Sequence, residues 1–254
     1  MHPKLTFIIF FSVFLAVYSV VNYYIFSRIW QVLPSSVPLR AAFIGISVFL
    51  SVAFIGGRVL ERFKICTISD FTIWTGSFWL AFMLYLFMGF LIIDIVRLGA
   101  QLAPISRLAM DGTFGLNSFR KISIVVVVII ASLLVLAGHI NAVNPRVRLL
   151  EIAIDKKTTI PALNIVMVSD IHCGTIIGNS RLEKMVSVIN SLRPDIVLLA
   201  GDIVDEDLKP VIEQNIGETL KNIRTRDGVY AVTGNHEYIG GVENAVKYLE
   251  EHGI

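Results

Sequence analysis

Four long apolar runs without a single Asp, Glu, Lys or Arg constrain this chain more than any other feature of its sequence. A helix needs about 20 mostly apolar residues to cross the hydrocarbon core of a bilayer. The runs cover residues 5–26, 41–57, 71–93 and 122–140. We therefore predict four transmembrane helices within a membrane region, residues 1–145. The expected partner of this region is the lipid bilayer, and the protein is expected to be a multi-pass protein of the cell membrane.

Three features of the membrane region bear on other interpretations. Lys4 ahead of the first run is typical of a signal peptide, but the run is too long and no small-residue cleavage site follows it. Residues 94–121 carry apolar residues, among them Ile105 and Leu108, at roughly helical spacing, and are predicted to lie along the membrane interface. Asp94 and His139 fall at predicted helix ends within reach of water, so no transporter-type proton relay is predicted.

The sequence leaves open which side of the membrane carries the rest of the chain. With four spans, the N-terminus and the residues after the last span lie on the same side. The basic residues flanking the spans, which usually report orientation, are divided evenly, with six on each side. The side of residues 146–254 is therefore not predicted.

Beyond residue 145 the sequence alternates between strand and helix patterns, which predicts a separate α/β region over residues 146–254. Short apolar runs predict strands at residues 147–154, 163–168, 196–200 and 229–233, the last three buried and parallel. Ser180 and Glu183 are predicted to form a capping box for one helix, and Pro210 to occupy the first position of a second. A third helix is predicted over residues 242–249. The fold class is thus an α-helical transmembrane region plus an α/β domain.

Composition excludes two further classes of function. The formal net charge is +2, and no basic run is interleaved with aromatic residues, so no nucleic-acid partner is predicted. The two cysteines, Cys66 and Cys173, are far apart in the sequence, which argues against a disulfide framework.

Potential metal ligands follow each of the last three predicted strands. Asp170 and His172 follow the first of these, Asp202 the second and the pair Asn235-His236 the third. The spacing is nearly constant, 32 residues from Asp170 to Asp202 and 33 from Asp202 to Asn235. One crossover helix fits each interval, and the carboxyl ends of parallel strands share one edge of a sheet. The three turns are therefore predicted to lie side by side.

Each turn taken alone also has a simpler interpretation. A Gly-Asp pair after a strand is usually a tight turn, and Asp170 could be a helix N-cap. The combination favours a metal site, because carboxylate, amide and imidazole donors suit Mn²⁺, Fe or Zn²⁺. Cys173, next to His172, is predicted to be a free thiol and not a ligand.

In this order, the motifs resemble those of the calcineurin-like metallophosphoesterases. The motifs are Asp170-x-His172, Gly201-Asp202-x-x-Asp205 and Gly234-Asn235-His236-Glu237. The resemblance covers residue 146 to the end, and the membrane region is similar to the multi-pass, bacterial-type branch of the family. It implies a four-layer sandwich of two sheets covered by helices, of which this chain supplies the N-terminal part. One apolar face of the single sheet is then expected to be uncovered.

The resemblance also implies which residues bind metal. Asp170 and His172 would bind one divalent ion, Asp202 would bridge that ion to a second one, and Asn235 would bind the second. Two ions about 3.5–4 Å apart would activate a hydroxide, which attacks the phosphorus of a phosphomonoester or phosphodiester in line.

Three further motif residues receive supporting roles from the resemblance. His236 would stabilise the transition state and protonate the leaving oxygen. Asp205 and Glu237 would lie behind the metal ligands and orient them. Gly201 and Gly234 fit such a site because glycine lets the backbone approach the metals closely, although a plain turn accounts for each of them equally well.

The match to the family is incomplete. Family members complete the site with a further histidine and a Gly-His-x-His motif downstream, and neither occurs in the 254 residues. His252 is predicted to be a solvated histidine at a helix end. We therefore expect a C-terminally truncated form that binds one ion weakly and the second barely, and hydrolyses little.

Two functions from different classes follow from these patterns. The first is a metal-dependent hydrolase of phosphate esters, whose membrane anchor favours a membrane-proximal substrate. The alternative is a non-catalytic membrane protein whose degenerate phosphoesterase half serves in interaction. The sequence beyond Ile254 would discriminate between them, because a downstream Gly-His-x-His motif would restore the enzyme.

Overall fold

The computed structural model describes residues 3–102, 116–157 and 159–254. The chain divides into two compact units, Met1–Ile140 and Asn141–Ile254. The first unit contains the four apolar runs, and the second contains the predicted metal-ligand motifs.

Each apolar run lies inside a long helix of the first unit. The helices are α1 (Pro3–Trp30), α2 (Val37–Phe63), α3 (Thr67–Leu102) and α4 (Leu116–Ala142). All four are long and apolar enough to cross a membrane, which confirms the four predicted spans. The helices extend beyond the runs because polar residues near their ends, such as Arg28 and Arg62, continue the helical hydrogen bonding.

The interior of the membrane unit combines apolar packing with a buried amide. Ile25, Trp79 and Phe90 are buried in one cluster. Asn22 is also buried, and its Oδ1 accepts a hydrogen bond of 2.9 Å from Trp79 Nε1 while its Nδ2 donates one of 2.9 Å to the carbonyl of Tyr18. Since an unpaired amide in an apolar interior costs several kcal/mol, both bonds stabilise Asn22 there, and the bond from Trp79 fixes α1 against α3.

Residues 94–102 differ from the prediction of an interfacial segment. They continue α3, so Asp94 lies inside the helix and not at its end. The carboxylate of Asp94 accepts a hydrogen bond from the hydroxyl of Tyr24 and another from the guanidinium of Arg28, which compensates for its position between helices. His139 lies in the last turn of α4, as predicted. Ile105 and Leu108, which were assigned to the interface, lie outside the described residues.

Three parallel strands form the sheet of the second unit, in the order β1-β2-β3. The elements are β1 (Ile165–Val168), α5 (Asn179–Ser191), β2 (Ile196–Ala200), α6 (Leu208–Glu213), α7 (Ile216–Leu220), β3 (Val229–Val232), α8 (Asn235–Gly240) and α9 (Val242–Glu251). Helices connect each strand to the next, so the α/β alternation, three of the four strands and the third helix are confirmed.

The first predicted strand, residues 147–154, does not form a strand. Its apolar side chains, including Leu149 and Ile152, are largely exposed. No strand among the described residues runs beside it, and an extended segment becomes a strand only when a neighbour takes up its backbone hydrogen bonds. An apolar strand pattern in the sequence is therefore not sufficient to make residues 147–154 a strand.

The predicted capping box of α5 does not form. The N-cap residue is Gly178, Ser180 lies inside the helix, and no side chain caps the helix start. The side chain of Asn179 donates instead to the backbone carbonyl of Gln214. The helix therefore starts earlier than the Ser-Glu pattern predicts.

The second predicted helix is divided into two short ones. α6 begins at Leu208, and its N-cap residue is Asp207, whose side chain accepts a hydrogen bond from the N–H of Lys209. Pro210 is therefore the third residue of α6 and not the first. Asn215 then adopts a left-handed conformation, with φ 51°, and this interrupts the helix before α7.

Helices cover one face of the sheet only. Val197 and Leu199 of β2 are fully buried in the core with Leu182 of α5. On the opposite face Met167 is 70 % exposed and Val232 is 63 % exposed. The strands are parallel, as predicted, but among the described residues only β2 is substantially buried, and the expected uncovered apolar face is present.

Candidate metal centre

The strand register brings the predicted metal-ligand turns to one edge of the sheet. Val168 pairs with Leu199, and Ala200 pairs with Val232, so the three strands end almost level. Hydrogen bonds then join the turns beyond the strands: the N–H of Asp170 donates to the carbonyl of Gly201 at 3.2 Å, and that of His172 donates to the carbonyl of Asp202 at 2.9 Å. The turns lie side by side, as the spacing predicted.

Three of the predicted ligands have left-handed backbone conformations. The φ angles are 56° at Asp170, 52° at His172 and 51° at Asp202. Such angles cost about 1–3 kcal/mol each in a residue with a side chain, and they persist when the surrounding structure enforces them, often at functional sites. Gly201, with φ 83°, precedes Asp202 in a conformation that glycine adopts without this cost.

His172, Asp202 and His236 form a close group of potential metal donors. One donor atom from each lies within 4.8 Å of the other two. Asp202 is 9 % exposed and both histidines are half-buried. The imidazole rings of His172 and His236 meet edge to face, with 4.4 Å between their centroids. One carboxylate and two imidazoles are donors suited to Mn²⁺, Fe or Zn²⁺.

The other two predicted ligands lie at the margin of this group. The Oδ1 of Asp170 is 4.0 Å from Nε2 of His172, and the Asp170 side chain is 68 % exposed. Asn235 is the first residue of α8, next to His236, and its side chain is exposed. Both side chains are thus accessible to solvent beside the central group.

His236 joins the donor group and also faces an acid. Its Nδ1 lies 3.3 Å from Oδ1 of Asp205. The Nδ1 atom is buried and makes no well-aligned hydrogen bond to a described residue, so this contact is electrostatic. The sequence offers His236 beside Asn235 as a ligand-type side chain, whereas the family resemblance implies a role for it at the transition state and not as a ligand. Its position directly after Asn235 on the third turn was the available signal.

Glu237 organises the backbone of the site. It is 1 % exposed, and its carboxylate accepts hydrogen bonds from three N–H groups: Asp202 at 3.1 Å, Val204 at 2.8 Å and Gly234 at 2.8 Å. These bonds tie the turn after β2 to the turn after β3. Glu237 thus acts on the main chain around the ligands, because its contacts are with backbone donors.

Close packing between the turns after β2 and β3 requires glycine at position 234. A Cβ added to this residue would lie 2.2 Å from Oδ1 of Asp202 and 2.5 Å from its backbone nitrogen. Since real Cβ atoms do not approach other atoms so closely, any larger residue here would displace the Asp202 carboxylate. Gly234 therefore permits the close approach of the turn after β3 to Asp202.

Cys173 is fully buried in the core, next to His172 in the sequence. It is 0 % exposed, and burial raises the pKa of its thiol to about 12, with the nearby charge of Glu237 as a second cause. Its N–H donates to the carbonyl of Ile203 and its carbonyl accepts from the N–H of Asp205, so the residue contributes backbone bonds. It does not belong to the donor group.

His252 differs in part from its prediction. It follows the last residue of α9, as predicted, but its side chain is half-buried rather than solvated. Its Nδ1 lies 2.6 Å from the carbonyl of Tyr248, and the two rings pack with 4.3 Å between centroids. These contacts give the residue a role in packing.

Residues 163–253 match the family model described as calcineurin-like phosphoesterase. The chain contains a calcineurin-like phosphoesterase domain. The match covers all three strands and every residue of the metal-ligand motifs, which confirms the family resemblance. The phosphoesterase domain also confirms the fold class, an α-helical membrane region followed by an α/β domain.

Relatives from animals and bacteria carry corresponding names. A transmembrane protein with metallophosphoesterase domain from Danio rerio is 32% identical over 231 residues, which cover 86% of this chain and 49% of the relative. Uncharacterized metallophosphoesterases from Aquifex aeolicus and Helicobacter pylori are each 30% identical, over 49% and 42% of this chain and 47% and 28% of their own lengths. With its four spans, the chain is a multi-pass membrane protein.

The chain spans at most about half the length of these relatives. No solved structure matches it.

Proposed function

We propose that the phosphoesterase domain hydrolyses phosphomonoesters or phosphodiesters with the help of two divalent metal ions, Mn, Fe or Zn. The observation that carries this proposal is the donor group of His172, Asp202 and His236, gathered within 4.8 Å at the carboxyl edge of a parallel sheet. Ligands of such sheets bind at this edge. The mixture of carboxylate and imidazole donors fits a divalent transition metal.

The proposed ligands divide between two ions. His172 and the exposed Asp170 would hold one ion, Asp202 would contact both, and Asn235 would complete the other from the start of α8. When bound, such ions neutralise charge on the phosphate oxygens and lower the pKa of a water that becomes the nucleophile. Asp202 is the buried member of the group, which suits a carboxylate that is compensated by cations from two sides.

His236 is the proposed proton donor. Its Nδ1 faces Asp205, so Nε2 is the nitrogen that remains for the leaving oxygen of the ester. Asp205 would hold the ring in this orientation and stabilise the charge of the imidazolium while the proton is held on Nε2. Glu237 would keep the turns of Asp202 and Gly234 in register during the reaction.

The proposal is tested with the full chain purified in a mild detergent and stripped of metal by chelation. Mn²⁺ binding is measured by titration calorimetry, and hydrolysis of bis-p-nitrophenyl phosphate and p-nitrophenyl phosphate is followed by absorbance. We expect Mn²⁺ to bind and turnover to be slow, since the further histidines that the family resemblance implies are not among the 254 residues. Asp202→Ala should abolish both signals.

The matched control is Glu183→Gln, which removes an exposed carboxylate from α5 and should change neither signal. A chain that binds no Mn²⁺, or an Asp202→Ala variant that binds it as well as the parent, would contradict the proposed site. Metal binding without any turnover would favour the non-catalytic alternative.

A further inference from the structure

One end of the membrane unit concentrates positive charge. This end is formed by the last turns of α1 and α3 and the first turns of α2 and α4. The basic residues described there are Arg28, Arg40, Arg97, Arg120 and Lys121, one or two from each helix. Among the residues with described side chains at this end, the one acid is Asp94. Five basic groups therefore face a single carboxylate.

Three of these arginines, from three helices, line the same cavity. Arg28 of α1, Arg97 of α3 and Arg120 of α4 line a partly open cavity of about 30 Å³ together with Asp94. All three arginines are half-buried. A space of this size holds one water or little more, so a larger ligand would reach the arginines from the mouth of the cavity.

Asp94 pairs with Arg28 at the cavity. The described residues that line the cavity offer no second carboxylate to Arg97 or Arg120. The Arg28 guanidinium donates to Asp94, and the Tyr24 hydroxyl donates to the same oxygen at 2.5 Å. The guanidinium carbon also lies 5.1 Å from the centroid of the Tyr24 ring. The positive charge of Arg28 is thus preorganised, while Arg97 and Arg120 have no carboxylate partner among the described residues that line the cavity.

Two guanidinium N–H groups at the cavity are buried without an acceptor. The Nε atoms of Arg28 and Arg120 are inaccessible and make no hydrogen bond to a described residue. A buried donor without a partner is costly, and guanidinium groups form two-pronged hydrogen bonds with oxyanions such as carboxylate and phosphate. The arrangement calls for an oxyanion with several acceptor oxygens.

We propose that this cavity, which we name the three-arginine site, binds the phosphate group of an anionic phospholipid. Its arginines lie close to the ends of the membrane spans, at the depth where lipid headgroups reside. Its walls include Phe90, Phe119 and Ile124, which offer apolar contact to an acyl chain beside the phosphate. A lipid supplies both the phosphate and the chain, whereas free phosphate supplies only the first.

The experiment uses the full chain in a mild detergent with EDTA, so that the metal centre neither binds nor hydrolyses phosphate. Native mass spectrometry counts the lipids that remain bound after titration with phosphatidylglycerol or phosphatidylcholine. We expect phosphatidylglycerol to be retained at about tenfold lower concentration than phosphatidylcholine, because its net charge is not balanced by a choline. Millimolar inorganic phosphate should not displace it.

Arg97→Gln and Arg120→Gln test the site itself. Each should weaken phosphatidylglycerol retention about tenfold, since a charge-assisted hydrogen bond is lost. Arg97→Lys, which keeps the charge but loses the two-pronged contact, should have a smaller effect. The matched control is Arg62→Gln, an exposed arginine at the opposite end of the same unit, and it should leave retention unchanged.

Each other result overturns a defined part of the proposal. Equal retention of the two lipids by the parent chain, a comparison that needs no variant, overturns it altogether. If Arg62→Gln weakens phosphatidylglycerol retention as much as Arg120→Gln does, diffuse surface charge holds the lipid. That result would overturn the three-arginine site. Displacement by inorganic phosphate would keep a phosphate site but overturn the lipid as its source. Circular dichroism of each variant checks that the variant is folded.

Discussion

The carboxylate of Asp202 accepts a hydrogen bond from the backbone N–H of His236, with 2.9 Å between Oδ1 and N. This bond joins the turn after β2 to the first turn of α8, and it leaves the second carboxylate oxygen for a metal ion. The same carboxylate therefore positions the proposed proton donor and belongs to the proposed metal site. Changes at Asp202 should affect both.

Replacing Asp202 by Asn separates charge from hydrogen bonding. The amide oxygen of Asn can still accept from the His236 N–H, so the fold should be retained. The negative charge is lost, and we expect Mn²⁺ affinity to fall by about 100-fold or more, since even residues behind the ligands contribute about 10–100-fold. Calorimetric titration measures the affinity, and an unchanged melting temperature is the control. Parent-like affinity would exclude Asp202 as a ligand.

Gly234→Ala should damage the metal centre through sterics alone. The new methyl group would lie 2.2 Å from Oδ1 of Asp202, so the carboxylate has to move. We expect Mn²⁺ affinity to fall about tenfold or more, together with a loss of stability of about 1–3 kcal/mol from overpacking. Gly138→Ala in α4 is the control, because a Cβ there meets nothing within 4 Å. If Gly234→Ala binds Mn²⁺ normally, the close approach does not constrain Asp202.

Glu237→Ala should destabilise the phosphoesterase domain strongly. The change leaves three N–H groups, of Asp202, Val204 and Gly234, without their acceptor. At about 1–3 kcal/mol for each unsatisfied buried donor, we expect a loss of about 3–5 kcal/mol and a fall in the melting temperature of roughly 10 °C or more.

Thermal unfolding followed by circular dichroism measures this loss. Glu183→Ala, on the exposed side of α5, should change the stability by less than about 0.5 kcal/mol. Glu237→Gln keeps one acceptor oxygen, so its loss of stability should lie between those of Glu183→Ala and Glu237→Ala. A melting temperature for Glu237→Ala within a degree or two of the parent value would show that the three bonds contribute little.

The two cysteines should react very differently with thiol reagents. Burial raises the pKa of Cys173 to about 12, so at pH 8 only ~1 in 10⁴ of its thiols is ionised. Cys66 lies between α2 and α3, is half-buried, and has a pKa lowered mainly by a backbone hydrogen bond from Ser69. Maleimide labelling of Cys173→Ser should be fast, and that of Cys66→Ser slow until the protein is denatured.

The raised pKa of Cys173 also predicts a pH dependence of stability. The folded state binds the thiol proton more tightly than the unfolded state, whose cysteine titrates near 8.5. The resulting stabilisation is fully present below pH 8.5 and is lost as the pH rises toward 12. Cys173→Ala should flatten this part of the stability profile, which thermal unfolding between pH 8 and 10 measures.

Asp205→Asn should impair turnover more than metal binding. Asp205 faces Nδ1 of His236 at 3.3 Å and does not belong to the donor group. We expect kcat to fall about 10–100-fold with Mn²⁺ affinity changed less than about threefold, since the residue acts through the histidine. Asp207→Asn, at the N-cap of α6, is a neighbouring control, because Asn also caps helices well. An equal loss of metal affinity would make Asp205 part of the metal site.

Much of this architecture followed from local patterns. The four spans could be recognised because lipid demands about 20 apolar residues in each, and β1, β2 and β3 because short apolar runs end in turns with ligand-type residues. Two local predictions were wrong, because the surrounding structure did not supply the contacts that each pattern needed. Residues 147–154 alternate like a strand but have no strand beside them among the described residues, and Ser180 resembles an N-cap but lies two residues after the N-cap Gly178.

The sequence by itself determined the membrane spans, the parallel strands and the side chains able to bind a metal, because these depend on hydrophobicity, spacing and side-chain chemistry. Tertiary structure alone decided that His236 lies among the metal donors beside Asp205. It also decided that Glu237 binds three backbone groups and that Arg28, Arg97 and Arg120 share one cavity. Such relationships depend on strand register and helix packing, which bring residues distant in sequence within a few ångströms of one another.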